Sequence, residues 1–428
     1  MSLSVPQKSP EAPAAPLRRA AVDALRWPDA ARVPACSPLR AAAARGLVLR
    51  ALRRLPLRVR LAGSPVLGVE GPLLVVHEQE AFFRRLGADG LIGFGESYMA
   101  GEWDAEDLVG VLTVLAGNVG ELVPHALHGL RRLWAHRLPS HQRNTPQGAR
   151  ANIHHHYDLS NELFALFLDE TLSYSSAVFR GFPATWERLA GAQHRKIDQL
   201  LDLAGVGHGT RLLEIGTGWG ELAIRAAARG ALVTSVTLST EQRALALRRI
   251  RDAGLADRVA VELRDYREVT GRYDALVSVE MIEAVGAEYW PEYFRVLDRL
   301  LLPGGRAAIQ AITMPHDRML ATRGGYTWIH KYIFPGGMLP SVCALEETAA
   351  EHTRLRAVLA EPYGPHYAET LRLWRERFTD RAHEVERLGF DAVFRRMWTL
   401  YLAYSEAGFR ARYLNVHQIL LTRPEETR

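Results

Sequence analysis

Apolar and polar residues follow two different rhythms along this chain. In the first part, "LRVRLAG" and "PLLVVHE" are short Leu- and Val-rich runs bounded by Gly and Pro, and they predict strands. "EAFFRRLG", "AEDLVGVLTVLAG" and "ELVPHALHGLRRLWAHR" return apolar residues at three- and four-residue steps and predict helices. Together they outline a small α+β domain over residues 21–137. "LPSHQRNTPQGARANI" then has the Pro, Gly, Asn and Gln content of a linker, placed at 138–152.

From Arg211 strands and helices alternate. "RLLEIG", "ALVTSVTLS", "RVAVELRD", "YDALVSVE" and "RAAIQAITM" read as strands. "GELAIRAAARG", "TEQRALALRRIRDAG" and "EYFRVLDRLLLPGG" read as the helices between them, the last closed by its glycines. Alternation of this length calls for an α/β domain with a parallel, doubly wound sheet, here 153–428. In such sheets a ligand sits beyond the carboxyl ends of the strands, where the strand order switches.

Composition changes this picture at the edges. The first 20 residues, "MSLSVPQKSPEAPAAPLRRA", are rich in Pro, Ala and Ser and read as a disordered leader. Cys36 and Cys343 are the two cysteines, which argues against a disulfide framework and fits a reducing, cytoplasmic setting. No apolar run approaches the roughly 20 residues that cross a bilayer, so any membrane role is peripheral. The net charge is +5 and unevenly spread. No acid lies between Asp29 and Glu70, while Arg40, Arg45, Arg50, Arg53, Arg54, Arg58 and Arg60 do. A second acid-free span, 122–157, carries Arg131, Arg132, Arg137, Arg143 and Arg150. Arg interleaved with Leu and Val suits a surface lying on anionic lipid, on the inner face of the membrane; a merely solvated basic face is the plain alternative. No nucleic-acid motif accompanies the charge.

The chemistry gathers at the strand ends. "LLEIGTGWGELA" places Gly216, Gly218 and Gly220 between a strand and a helix, with Glu214 before them and Trp219 among them. Glycines there let the backbone approach a ligand, and the spacing is not the G-x-G-x-x-G of dinucleotide enzymes. After the second strand Thr237, Ser239 and Gln242 can hydrogen-bond a ribose or an amino-acid moiety. After the third, Asp265 offers an acceptor for an adenine amino group, with Tyr266 beside it. "HHHYD" at 154–158 poses a separate question, a metal site or a polar lid. Consecutive histidines point in different directions on any regular element, which disfavours the metal.

"HYDLSNELF", "YSSAVF", "LLEIGTGWG", "VTLSTEQ", "DYRE", "VSVEMIEAVG", "IHKYIFPGGMLPSV" and "AGFRARYLNVHQ" together resemble the cyclopropane fatty acid synthases, a family of S-adenosylmethionine-dependent methyltransferases acting on unsaturated acyl chains. "SVEMIEAVG" and "AIQAITMPHDRMLATR" are similar to the branch that methylates oleoyl phospholipid to a 10-methylene chain on the tuberculostearic acid route. The resemblance implies a class I methyltransferase fold and no metal. It implies S-adenosylmethionine as cofactor, with Tyr174 and Ser175 among its contacts. It also implies a bound bicarbonate as base, held by Glu283, Tyr332, the backbone of Ile312, and by Ser176 and Gln310 where relatives carry Cys and His; Ala284 stands where a second His is usual. Serine and glutamine can still hydrogen-bond an anion.

An alkene attacks the sulfonium methyl without prior activation, leaving a carbocation that aromatic faces stabilise. Tyr174, Tyr289, Trp290, Tyr326, Trp328, Tyr332, Phe334 and Tyr367 are candidates for that wall. Prompt proton loss with ring closure gives a cyclopropane; a hydride shift first gives an exomethylene. The changes at Ser176, Ala284 and Gln310 are expected to favour the second. Glu280 and Glu283, three apart, would share a face were the segment helical, though such a pair can also be a surface or capping feature, and the role of Glu280 stays undecided. The expected partners are unsaturated phospholipid at the membrane surface, a flavin- or NADPH-dependent reductase that finishes the product, and a second copy in a homodimer; nucleic acid is not expected. A cyclopropane synthase, a nucleic-acid methyltransferase and a non-catalytic cofactor-binding protein stand as rival readings.

Overall fold

The structure, a computed structural model, describes residues 22–118, 139, 145, 148 and 160–425. The leader, the predicted helix at 121–137, nearly all of the linker and His154 to Asp158 lie outside the described residues. The chain divides into two compact units, 1–111 and 112–428.

In the first unit β1 (Arg58–Leu61) pairs in parallel with β2 (Leu73–Val76), and β3 (Trp103–Ala105) runs antiparallel to β2. Alternation places Val59, Leu61, Leu74 and Val76 inside, as period-two patterning demands. Beside the short helix Pro28–Ala31, α1 (Pro38–Leu52), α2 (Gln79–Asp89) and α3 (Leu91–Met99) accompany the sheet, and the division between units falls within α4 (Leu108–Gly117). Phe82, Phe83, Met99 and Trp103 fill the core around one buried cation. Arg85 donates from Nε to both Glu102 oxygens, at 3.0 and 3.1 Å, and from its terminal nitrogens to the carbonyls of Asp29 and Ala30. A buried charge is tolerated only when paired and hydrogen-bonded in this way.

The second unit is built on a seven-stranded sheet in the order β6-β5-β4-β7-β8-β10-β9. β4 (Arg211–Ile215), β5 (Leu232–Thr237), β6 (Val259–Leu263), β7 (Tyr273–Val279) and β8 (Leu301–Thr313) run parallel. β10 (Asn415–Thr422) is antiparallel to both β8 and β9 (Arg356–Pro362). The central strands are apolar at successive positions because both faces are covered. Leu212 packs toward a cluster with Ile197, Leu200 and Ala223, and its neighbour Leu213 toward one with Trp290, Phe294 and Leu297. Each such leucine, wholly buried, contributes roughly 1.5–3 kcal/mol.

The helices include α5 (Asn161–Phe167), α6 (Leu189–Leu203), α7 (Glu221–Ala228), α8 (Thr240–Asp252), α9 (Trp290–Leu300), α10 (Trp328–Tyr332), α11 (Gly364–Asp380) and α12 (Ala392–Arg410). One boundary differs from the sequence expectation. The helix read through "RLLLPGG" ends at Leu300, and Leu301 already has the extended φ −75°, ψ 142° that opens β8. Pro303 disfavours helical geometry at Leu302, so the glycines belong to the strand entry rather than to a helix cap. β4 lies between β5 and β7, and this reversal of strand order puts the segments after β4 and β7 side by side.

Candidate active site

The segment after β4 is shaped by its glycines. Gly216, Gly218 and Gly220 have φ of 96°, 52° and 91°, and Gly220 caps α7. A Cβ on Gly220 would stand 3.1 Å from the Cβ of Ala246 on α8, whereas one on Gly218 would meet nothing within 4 Å. The turn is therefore closed against the protein at one glycine and open at the other. That open cradle, beside a helix N-terminus, fits a nucleoside-type ligand. Glu214 is buried behind it, accepts from the Ser235 hydroxyl at 2.5 Å, and burial pushes its carboxyl up to about 8 against the pull of Ser235 and Lys196. Trp219 fastens the turn to α5, its Nε1 donating to Asn161 Oδ1 at 2.7 Å and its ring 5.1 Å from Phe164.

The other cofactor candidates line the adjoining strand ends, each already held by neighbours. Ser239 is the N-cap of α8 and accepts from Gln242 N, while the Thr237 hydroxyl donates to Gln242 Oε1 at 3.1 Å. The Asp265 carboxylate is clasped by Arg267, at 2.8 and 2.7 Å, and the same guanidinium lies 5.4 Å over the Tyr266 ring. Burial pushes the Tyr266 hydroxyl upward, which keeps it a neutral donor.

A carboxylate cluster occupies the end of β7. Glu280 follows the strand with φ 49°, and Glu283 lies in the one-turn 3-10 helix Ile282–Ala284. The pair therefore does not share the face of a regular helix. Glu280 Oε1 accepts from Ser176 N and from Gln310 Nε2, both at 2.8 Å, and Oε2 accepts from the Tyr367 hydroxyl at 2.7 Å. Gln310, on β8, also donates to the Ser176 carbonyl at 3.3 Å and accepts from Gln418 Nε2 of β10 at 3.1 Å. Glu283 Oε1 accepts from Ile312 N at 2.5 Å, and among the described residues its buried Oε2 has no hydrogen-bond partner. Burial, and then the nearby Glu280, push the Glu283 carboxyl up to about 8.

Sequence reasoning thus named Ser176, Gln310, Ile312 and Glu283, which the fold brings together, and left undecided Glu280, on which Ser176, Gln310 and Tyr367 converge. Around Glu280 it also missed Lys196 and Gln418, and gave Tyr367 only an aromatic role. Lys196 is buried on α6 and donates to the Ser175 hydroxyl at 2.7 Å; burial lowers its ammonium to about 8 while Glu280, Asp169 and Glu214 pull it back up. A usable signal existed: the chain carries 50 arginines against lysine at 8, 196 and 331 only. The expected bicarbonate does not fit this arrangement, because Gln310 Nε2 and Ile312 N already serve Glu280 and Glu283 and the Ser176 hydroxyl donates to the Ala177 carbonyl.

Aromatic rings wall the cluster. The Tyr174 and Tyr401 hydroxyls lie 2.7 Å apart, Tyr174 packs 5.3 Å from Trp374, and the Tyr367 ring stands 4.6 Å from Phe409. Tyr332 sits on α10 with its ring 5.6 Å from Trp328, and the segment after it is tied to the cluster by Met338 N donating to the Glu283 carbonyl at 2.7 Å. Outside the cluster, His316, Cys343 and Glu347 bring potential ligand atoms within 4.8 Å of one another, two of the three residues being exposed.

Three comparisons bear on this geometry. The profile of the family described as mycolic acid cyclopropane synthetase matches residues 144–419. The chain is 57% identical over 415 residues to tuberculostearic acid methyltransferase UfaA1 of Mycobacterium tuberculosis, covering 94% of this chain and 97% of that protein. It is 34% identical over 349 residues to the cyclopropane-fatty-acyl-phospholipid synthase of Escherichia coli, covering 81% and 86%. The crystal structure of mycolic acid cyclopropane synthase CmaA1 complexed with SAH and CTAB aligns with 64% of this chain and 98% of its own, at 31% identity and a TM-score of 0.59.

Proposed function

The chain belongs to the mycolic acid cyclopropane synthetase family of S-adenosylmethionine-dependent methyltransferases, and on that premise we propose that it transfers a methyl group to the cis double bond of an oleoyl-type phospholipid, yielding a 10-methylene acyl chain. S-adenosylmethionine supplies an electrophilic methyl; the glycine turn, Glu214 and the Thr237–Ser239–Gln242 and Asp265–Tyr266 ends are the residues that would hold it. The π electrons bond to that methyl as its bond to sulfur breaks, the sulfur keeping the electron pair and leaving as the thioether, and a cation remains on the neighbouring carbon. Hydride migration moves the charge to the methyl-bearing carbon, and loss of a methyl proton completes the exomethylene. The rings of Tyr174, Trp374 and Tyr367 favour such a cation and keep water from it.

One observation carries the choice of product. The 57% identity to UfaA1 runs through both units of the chain, against 34% for the E. coli cyclopropane synthase. The deciding experiment incubates the protein with oleoyl phospholipid and trideuteromethyl cofactor, then treats the product with ozone. An exomethylene is expected, so the labelled carbon should leave as formaldehyde and a 10-keto chain should remain. Label that survives ozone in a ring would overturn the product, and label on a heteroatom the whole reading. The methylene product then requires a hydride donor, and a flavin- or nicotinamide-dependent reductase is the partner class that suits it.

The substrate is presented at a membrane surface. No helix among the described residues is long and apolar enough to cross one. The acid-free stretch leaves Arg40, Arg45, Arg50, Arg53, Arg54, Arg58 and Arg60 exposed, with Leu39 85% exposed on α1 among them. Near an anionic surface each such arginine contributes about 1 kcal/mol. Replacing Arg45, Arg50, Arg53 and Arg54 by Gln should weaken binding to anionic vesicles about fivefold per residue at low salt, read by flotation, with little change on neutral vesicles. Equal loss on both would refute the electrostatic reading.

A further inference from the structure

We propose that Glu280 is the proton acceptor of the reaction, a base carried by the chain itself, so that turnover needs no dissolved anion. This rests on the methyl transfer proposed above. In the terminal step a C–H bond of the added methyl breaks and its electron pair becomes the new π bond to the cationic carbon. The proton passes to a Glu280 oxygen, leaving a neutral carboxyl that returns it to water between turnovers.

Three features of the cluster carry the inference. First, the Glu280 carboxylate accepts three hydrogen bonds, from Ser176 N, Gln310 Nε2 and the Tyr367 hydroxyl. Donors from three different elements or loops converge on it, and this favours the anion, the form a base requires. Its carboxyl is nonetheless held above the usual carboxylate range by burial, which Tyr367, Ser176, Gln310 and Lys196 only partly offset, so its affinity for a proton is high.

Second, its neighbour is the weaker anion. Among the described residues the Glu283 carboxyl accepts from Ile312 N alone of the side-chain and main-chain donors of other residues, against three for Glu280, and burial and Glu280 push its carboxyl up, so the donors favour the charge on Glu280.

Third, the cluster's donors are engaged. Gln310 Nε2 donates to Glu280 and to the Ser176 carbonyl, the Ser176 hydroxyl donates to the Ala177 carbonyl at 3.1 Å, and Ile312 N serves Glu283. A further anion would find its donors engaged and a buried carboxylate beside it, and like charges this close cannot both be kept.

The test has two arms. Wild-type protein is assayed with oleoyl phospholipid vesicles in buffer purged of carbon dioxide, then with bicarbonate added; the rates should agree within twofold. Turnover that collapses on purging and returns with bicarbonate would overturn the proposal. In the second arm, Glu280→Gln keeps acceptors for Ser176 and Gln310 but removes the base. Its kcat should fall on the order of 100-fold or more, with cofactor affinity by calorimetry unchanged and a larger kinetic effect of the deuterated methyl than in wild type. Glu280→Ala opens room for a small acid, and added formate or bicarbonate should restore turnover. A Glu280→Gln protein retaining more than a tenth of wild-type kcat, or an alanine variant deaf to both anions, would show a structural role only. Were wild type to place no label in lipid, the functional reading would fall and take this one with it; label in lipid with bicarbonate dependence sinks this one alone.

Discussion

Gln310→Glu should produce a protein whose stability deficit opens with rising pH. The side chain is 1% exposed, and its amide nitrogen lies 2.8 Å from Glu280 Oε1. An ionised carboxyl at that distance faces a second one in a buried setting, and an unpaired buried charge costs about 3–5 kcal/mol. The sign follows from linkage. In the unfolded chain the introduced carboxyl titrates near ~4.3; burial and Glu280 raise it in the folded protein. Below the unfolded value both states hold the proton and no penalty arises. As pH climbs toward the folded value the unfolded chain releases its proton first, and the variant loses stability relative to wild type throughout that interval. A protonated carboxyl also mimics the amide, its hydroxyl donating to Glu280 while its carbonyl accepts from Gln418. Thermal unfolding of both proteins from pH 5 to 8.5 should show a narrow gap in acid that widens by about 3 kcal/mol or more toward base, with methyl transfer falling on the order of 100-fold at neutral pH. A gap that is flat, or widest in acid, would show that no carboxylate faces position 310.

The same position shows where sequence and fold part company. The central strands were legible because burial on both faces leaves unbroken apolar runs, and the glycine turn because strand, glycines and helix are contiguous. Helix and strand were confused at 301–305, where "LLLPGG" satisfies both an apolar helical stripe and a strand entry until Pro303 decides. The cluster was half legible. Ser176, Gln310, Ile312 and Glu283 stood out through neighbouring motif residues, yet Glu280, the acceptor that Ser176 and Gln310 share with Tyr367, did not. Its donors lie 104, 30 and 87 residues away along the chain, and no local spacing announces such a convergence. Spacing in fact misled: two glutamates three apart suggest a helical face, whereas φ of 49° at Glu280 turns the chain before the 3-10 turn begins. Tyr367 appeared only as an aromatic ring because its hydroxyl acquires a partner through tertiary packing. Arg85 was invisible for the same reason, an arginine in an arginine-rich chain whose burial depends on Glu102.

Exchanging two glycines of one turn should separate folding from cofactor binding. At Gly220 the backbone has φ 91°, and a side chain would begin 3.1 Å from Ala246 Cβ, already in contact before any branch is added. Gly220→Val therefore imposes both an unfavourable dihedral, worth about 1–3 kcal/mol, and a clash that displaces α7 from α8. Stability and cofactor affinity should fall together, the latter by roughly 100-fold for a misplacement near 1 Å. At Gly218 the strain is milder, φ 52° lying in the left-handed region at about 1–2 kcal/mol, and the space around the new Cβ is open. If that opening is where the cofactor lies, Gly218→Val should lose affinity to a similar extent with a much smaller fall in melting temperature. Calorimetric titration with S-adenosylmethionine and thermal unfolding of both variants make the comparison. Undiminished binding by the Gly218 variant would mean that the cradle faces some other ligand, and an equal loss of stability in both would mean that the turn acts only as a structural joint between β4 and α7.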